Sequence, residues 1–254
     1  MKRIAYIVAA FVVAATFEAS AWTAEANKAI LMLAEENLSS KAKREVVEIL
    51  GASLSSVEFT NKGKSTTRLN EKGKSVTTDA SDAVVLIEKG IGVLSNKKAS
   101  AEERKAALCS VAEMSVDIHC PANILIDKLL EGDFDFGRDN GRPKGSRWHK
   151  VDKRKWQRMW HSDFHKGLGA FSADMYLYDW HIATKGMAKS YKKQPVAPRQ
   201  WAEHTGAIVL DALKTFKPEI IVDRMAITAL EEVNNSAMYD AAFHLANLLN
   251  EVLK

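Results

Sequence analysis

Apolar residues recur three and four positions apart along almost the whole chain, and that helical period constrains the fold more than any other feature of the sequence. From Trp22 onward the recurrence runs through Ile30, Leu31, Ala34 and Leu38, and the next segment, Ser40 to Leu50, stops at Gly51, a residue suited to a helix C-terminus. The pattern resumes in "SDAVVLIEKGIGVL", where Asp82 can cap, and in "SAEERKAALCSVAEMSVDIHC", where Ser100 and Glu103 form a capping box and Pro121 sets the end. Further helical segments follow in "KRKWQRMWHSDFHKGL", "PRQWAEHTGAIVLDALKTF", "EIIVDRMAITALEEV" and "AMYDAAFHLANLLNEVLK". Residues 52–78 break the period, being rich in Ser, Thr, Lys, Gly and Asn, and are expected to form a small loop or hairpin excursion. Residues 131–148 are read as a second loop. The expectation is an all-α fold in one domain.

The first 21 residues have a different character. Lys2 and Arg3 precede an apolar run from Ile4 to Phe17, and Ala19-Ser20-Ala21 offers a small-residue cleavage site. The run is shorter than the roughly 20 residues of a membrane-spanning helix, so a signal peptide is expected, with export to a periplasm or beyond. Cleavage after Ala21 would make Trp22 the amino terminus and leave residues 22–254 as the domain. The composition, 46% hydrophobic and 27% charged with a formal net charge of +4, is ordinary for a soluble domain and singles out no partner. Cys109 and Cys120 fall within one predicted helix, roughly 16 Å apart at 1.5 Å per residue, which is too far for a disulfide. Cys109 is expected to be a small core residue and Cys120 either buried or a free thiol.

Three constellations could carry chemistry. His161 and His165 are spaced i, i+4, so both imidazoles project from one helix face and can converge on one transition metal. An aromatic-rich, partly buried helix would look the same, since Trp156, Trp160 and Phe164 flank them. Glu113 and Asp117 have the same spacing on the helix before Pro121; they can share a cation or act in acid/base work, or form a solvated acidic stripe. Their neighbours Val111, Ala112, Met114, Val116 and Ile118 are apolar, which draws at least one carboxylate inward, where it needs a partner. Between Arg138 and Lys166 ten Lys/Arg stand against three Asp, interleaved with Trp148, Trp156 and Trp160. Cations beside stackable rings suit single-stranded nucleic acid, with Arg142, Lys144, Arg147 and Arg154 as contacts, and equally describe a solvated basic helix.

The stretches "WTAEAN", "EMSVDIHCPAN", "RMWHSDFH" and "AAFHLANLLNEVL" stand in the order and spacing of four family motifs. These are W-G-x-x-G-H, H-x-x-x-D-x-x-Q-P-L-H, N-L-H-S-x-W-D and A-G-x-R-L-A-x-x-L-N. The chain thus resembles the secreted single-strand-specific zinc nucleases, the fungal S-one/P-one enzymes and their bacterial relatives, across nearly all of residues 22–254. His119 matches a histidine common in bacterial members.

The resemblance implies an all-α phospholipase C/nuclease-like fold whose cleft holds three zinc ions that polarise a phosphodiester and activate water. It also implies that a terminal Trp, here Trp22, ligates zinc through its α-amino group and carbonyl oxygen. Trp22, Asp117 and His161 match family ligands, with Asp117 as the bridging and catalytic carboxylate. Elsewhere the ligands are replaced: Asn27 and Asn123 stand where the family has histidines, Glu113 where it has a histidine and His165 where it has an aspartate. The family's remaining Asp and His should fall within 52–78, which contains neither residue type. Glu113 and His165 retain the capacity to ligate, whereas neutral amides are poor zinc ligands. The expectation is zero to one zinc ion, or three if the site is rebuilt, with weak or absent hydrolysis and binding of single-stranded nucleic acid, nucleotide or another phosphate ligand. The rivals are an active metal-dependent nuclease and an exported binding or structural protein that uses no metal.

Overall fold

Capping side chains set the helix boundaries in the computed structural model, which describes residues 22–59, 67–76, 79–126, 134–135, 150–151, 160, 172–192, 194–215 and 224–254. Thr23 opens α1 (Ala24–Glu36), Ser39 opens α2 (Ser40–Leu50) and Asp82 opens α3 (Ala83–Ser95), each accepting a backbone N–H of the first turn. Ser100 opens α4 (Ala101–Asp117) with the expected reciprocal box: the Ser100 N–H donates to Glu103 at 2.8 Å and the Glu103 N–H donates to the Ser100 hydroxyl at 3.2 Å. Gly51 ends α2 at φ 73°, the left-handed conformation that glycine adopts without steric cost. Four further helices follow among the described residues: α5 (Ala173–Ala183), α6 (Ala188–Tyr191), α7 (Pro198–Thr215) and α8 (Arg224–Val252). The protein is all-α. Among the described residues no helix is long and apolar enough to cross a membrane.

Helix α4 is central, as its sequence suggests: Val111 through Asp117 are buried without interruption, so this stretch has neighbours on every side. It packs on α3, where Gly90 permits the approach; a Cβ there would sit 2.4 Å from Val111 Cγ2. Two residues along, a Cβ on Gly92 would meet nothing within 4 Å. Opposite signs are therefore expected in urea denaturation. Gly92→Ala should stabilise the fold by about 0.5–1 kcal/mol through helix propensity, whereas Gly90→Ala should lose that gain and up to about 3 kcal/mol to overpacking.

The segment expected as a loop or hairpin contains both a reversal and a long-range tie. A 3-10 turn at Leu54–Ser56 leads toward β1 (Thr67–Leu69), after which the chain reverses through Gly73 (φ 72°) and Ser75 bridges back to Leu69. Strand β1 then pairs in parallel with β2 (Ile124–Ile126), register Thr67 to Ile124, joining the excursion to the chain just beyond α4. From within the expected loop at 131–148, β3 (Phe134–Asp135) pairs antiparallel with β4 (Lys150–Val151) just beyond it.

Two readings of the sequence need correction. The last two helical segments are one 29-residue helix, α8, which runs unbroken through Asn234, Asn235 and Ser236. Cys109 is only half-buried, while Cys120 is fully buried; neither is bridged. Residues 1–21, with the expected signal peptide, lie outside the described residues, as do His161, His165, Arg142, Lys144, Arg147 and Arg154.

Candidate functional site

Trp22 stands just before the N-cap of α1 and is buried to 2% exposure. Its indole Nε1–H donates to Asn234 Oδ1 at 2.9 Å, and the amide of Asn234 donates to the Trp160 carbonyl at 3.3 Å. One buried carboxamide on α8 thus links the start of the domain to the first residue of "WHSDFH". This also explains how α8 tolerates asparagine in its interior: the Asn234 side chain is committed to partners on other elements.

The backbone of Trp22 is held by Asn27. The Trp22 N–H donates to Asn27 Oδ1 at 3.3 Å, and Asn27 Nδ2 donates to the Trp22 carbonyl oxygen at 3.3 Å. The two Trp22 atoms that the nuclease resemblance assigns to zinc are therefore both bonded to a neutral amide from the first turns of α1. A carboxamide satisfies the N–H and the carbonyl at once, as an imidazole could not, since a neutral ring offers one donor and one acceptor on opposite edges.

Helix α4 supplies the acidic part. Glu113 and Asp117, 6% and 2% exposed, project from one helix face as their spacing requires. Neither is without a partner. Both being buried rules out the solvated stripe, the alternative that the sequence left open. Asn123, in the 3-10 turn Pro121–Asn123, donates to the Asp117 carbonyl at 3.4 Å, so this asparagine, like Asn27, closes on backbone. One strand register away lies Thr67, whose buried hydroxyl has no hydrogen-bond partner among the described residues. Among the described residues no three His, Cys, Asp or Glu gather as a metal cage. The amides of Asn27 and Asn123 add no charge, and the Asn27 oxygen is already engaged by the Trp22 N–H, so these two positions suit a zinc ion poorly.

A second polar centre was not legible in the sequence. His119, fully buried just after α4, donates from Nδ1 to the Ser115 carbonyl at 2.6 Å, and its Nε2 meets His244 Nδ1 of α8 at 2.8 Å. The carboxamide of Gln194 closes the chain 2.9 Å from His244 Nε2. Because the Ser115 carbonyl can only accept, His119 Nδ1 carries the hydrogen, Nε2 accepts and His244 Nδ1 donates. With both rings neutral, His244 Nε2 in turn needs a donor, which a half-turn of the Gln194 amide supplies. Trp201 stacks on His244 at 4.8 Å between centroids, 7° from parallel, and Tyr191 meets the same ring edge-on. Burial holds His119 down to about 4 and His244 to about 2, although Asp240 nearby favours the charged form of His119. Tyr191 donates its hydroxyl to Asp240, whose other oxygen lies 3.7 Å from His204. The two histidines are so far apart in sequence that only the packing of α8 on α4 brings them together.

No protein-family model matches the sequence, and no curated protein is similar enough to count as a relative.

Proposed function

We propose that this chain is an exported, degenerate relative of the single-strand-specific zinc nucleases, which binds a phosphate ligand such as a nucleotide or single-stranded nucleic acid and hydrolyses it weakly or not at all. The observation that carries this reading is the Asn27 carboxamide seated on the backbone N–H and carbonyl of Trp22. Where the family has histidine the chain has a residue that satisfies these atoms without a cation. The buried Glu113 and Asp117 support a remnant acidic site on the central helix, which with His161 and His165 supplies donors for one ion. The cations Arg142, Lys144, Arg147 and Arg154, among tryptophans, supply the charge for a phosphate backbone.

Elemental mass spectrometry on the naturally processed protein, with the same sample assayed on single-stranded DNA and RNA, tests this. The expected result is zero or one zinc per chain and no efficient cleavage, with any bound metal lowered by both Asp117→Ala and His161→Ala. Near three zincs with cleavage would overturn the proposal in favour of an active nuclease with a rebuilt site. The buried carboxylate pair is the observation that favours this second reading.

A further inference from the structure

Helix α5 carries an apolar ridge that the core does not use. Ala173, Tyr176, Leu177 and Trp180 face inward and are buried, with Trp180 edge-on to Tyr239 of α8. On the other side Met175, Tyr178 and Ile182, spaced i, i+3, i+7, form one continuous ridge that is 50%, 68% and 66% exposed. Among the described residues the other large exposed apolar side chains, Val47 and Val76, are scattered singly. The helix is pinned to α1 at both ends: the Ala173 N–H donates to Glu25 at 2.9 Å, and His181 pairs with Glu36 at 2.6 Å. The ridge is therefore presented on a fixed support.

We infer that the Met175–Tyr178–Ile182 ridge docks a second copy of this chain, with the two α5 helices antiparallel about a twofold axis beside Tyr178. The charges at the helix ends select this occupant. Asp174 is exposed in the first turn, and Lys185 is exposed just past the last. Antiparallel pairing lays Met175 over Ile182 of the second copy and brings the two Tyr178 rings to the axis. It also leaves Asp174 about 3 Å along the axis from Lys185 of the second copy, at 1.5 Å rise per residue, within reach of a lysine side chain, and symmetry makes this pair twice. Parallel pairing would set Asp174 against Asp174. An anionic membrane surface would meet Asp174 and Asp179 on the flanks of the ridge, which opposes binding. A single helical ridge falls short of the roughly 800 Å² per partner of stable complexes, so the dimer should be weak and concentration-dependent. This inference is independent of the proposed function.

Sedimentation velocity of the naturally processed protein over a wide concentration range tests it. Dimer should grow with concentration, and Tyr178→Glu should raise the dissociation constant about tenfold or more, as expected for a charge placed in an apolar contact. Asp174→Lys should weaken association, and adding Lys185→Asp should restore it, because the swap rebuilds both pairs. All three positions are exposed, so unchanged helical circular dichroism confirms that each variant folds. A monomer at every concentration, or a dimer indifferent to Tyr178→Glu and to the charge swap, overturns the inference. So does a monomer that binds phosphatidylserine vesicles through Tyr178, which would assign the ridge to a membrane surface.

Discussion

Truncating His119 to alanine is expected to cost the fold about 3–5 kcal/mol, because the change combines a buried cavity with two orphaned polar groups. The imidazole is fully enclosed, and its removal leaves the Ser115 carbonyl and His244 Nδ1 without their shared partner. Urea denaturation of His119→Ala, His244→Ala and the double variant reads this directly. The double variant should cost less than the sum of the singles, since the second truncation removes a group that the first has already stranded. Strict additivity would mean that the contact carries no coupling. The same pair should make the unaltered protein sensitive to acid. Burial keeps both rings neutral in the fold, whereas in the unfolded chain they take up protons as the pH falls below about 6.5. Below that pH the unfolded state binds more protons, so their contribution to stability is complete above about 6.5 and declines as the pH falls toward 4. Melting temperatures measured across that window should fall with acidification, and less so in the double variant.

The second large effect is expected at Gly206. A Cβ on this residue of α7 would lie 2.1 Å from Leu69 Cδ1, and Leu69 is wholly buried in β1, so the leucine has nowhere to move. Gly206→Val should therefore push α7 off the β1–β2 pair and cost about 3 kcal/mol. Shortening Leu69 to alanine in the same chain should recover part of that loss by opening the space the valine needs. A Gly206→Val variant as stable as the parent would show that α7 does not rest on β1 at this point.

The sequence exposed the boundaries of those helices whose ends carry their own signals. Asp82, the Ser100–Glu103 box and Gly51 each act within a few residues, so local chemistry suffices to find them. It hid α5, because Met175, Tyr178 and Ile182 are apolar on the outward face while Tyr176, Leu177 and Trp180 are apolar on the inward one, which blurs the periodicity. It broke α8 in two at Asn234, whose place in a helix is secured by bonds to Trp22 and Trp160 on distant segments. Strands as short as β1 and β2 carry no pattern of their own, and their pairing is fixed by packing against α7. At the candidate site, the apolar neighbours of Glu113 and Asp117 pointed to the burial of at least one of them, and both are buried. The bonding of Asn27 to Trp22 did not, since the identity of asparagine says what it can bond and not what lies beside it.

Helix α8 touches α1, α2, α3, α4, α6 and α7. Without residues 224–254 in place, the inner faces of these six helices lack their common partner, and the rest of the fold cannot bury its core cooperatively. Loosening α8 therefore exposes core surface on all of them at once, so its detachment and global unfolding coincide.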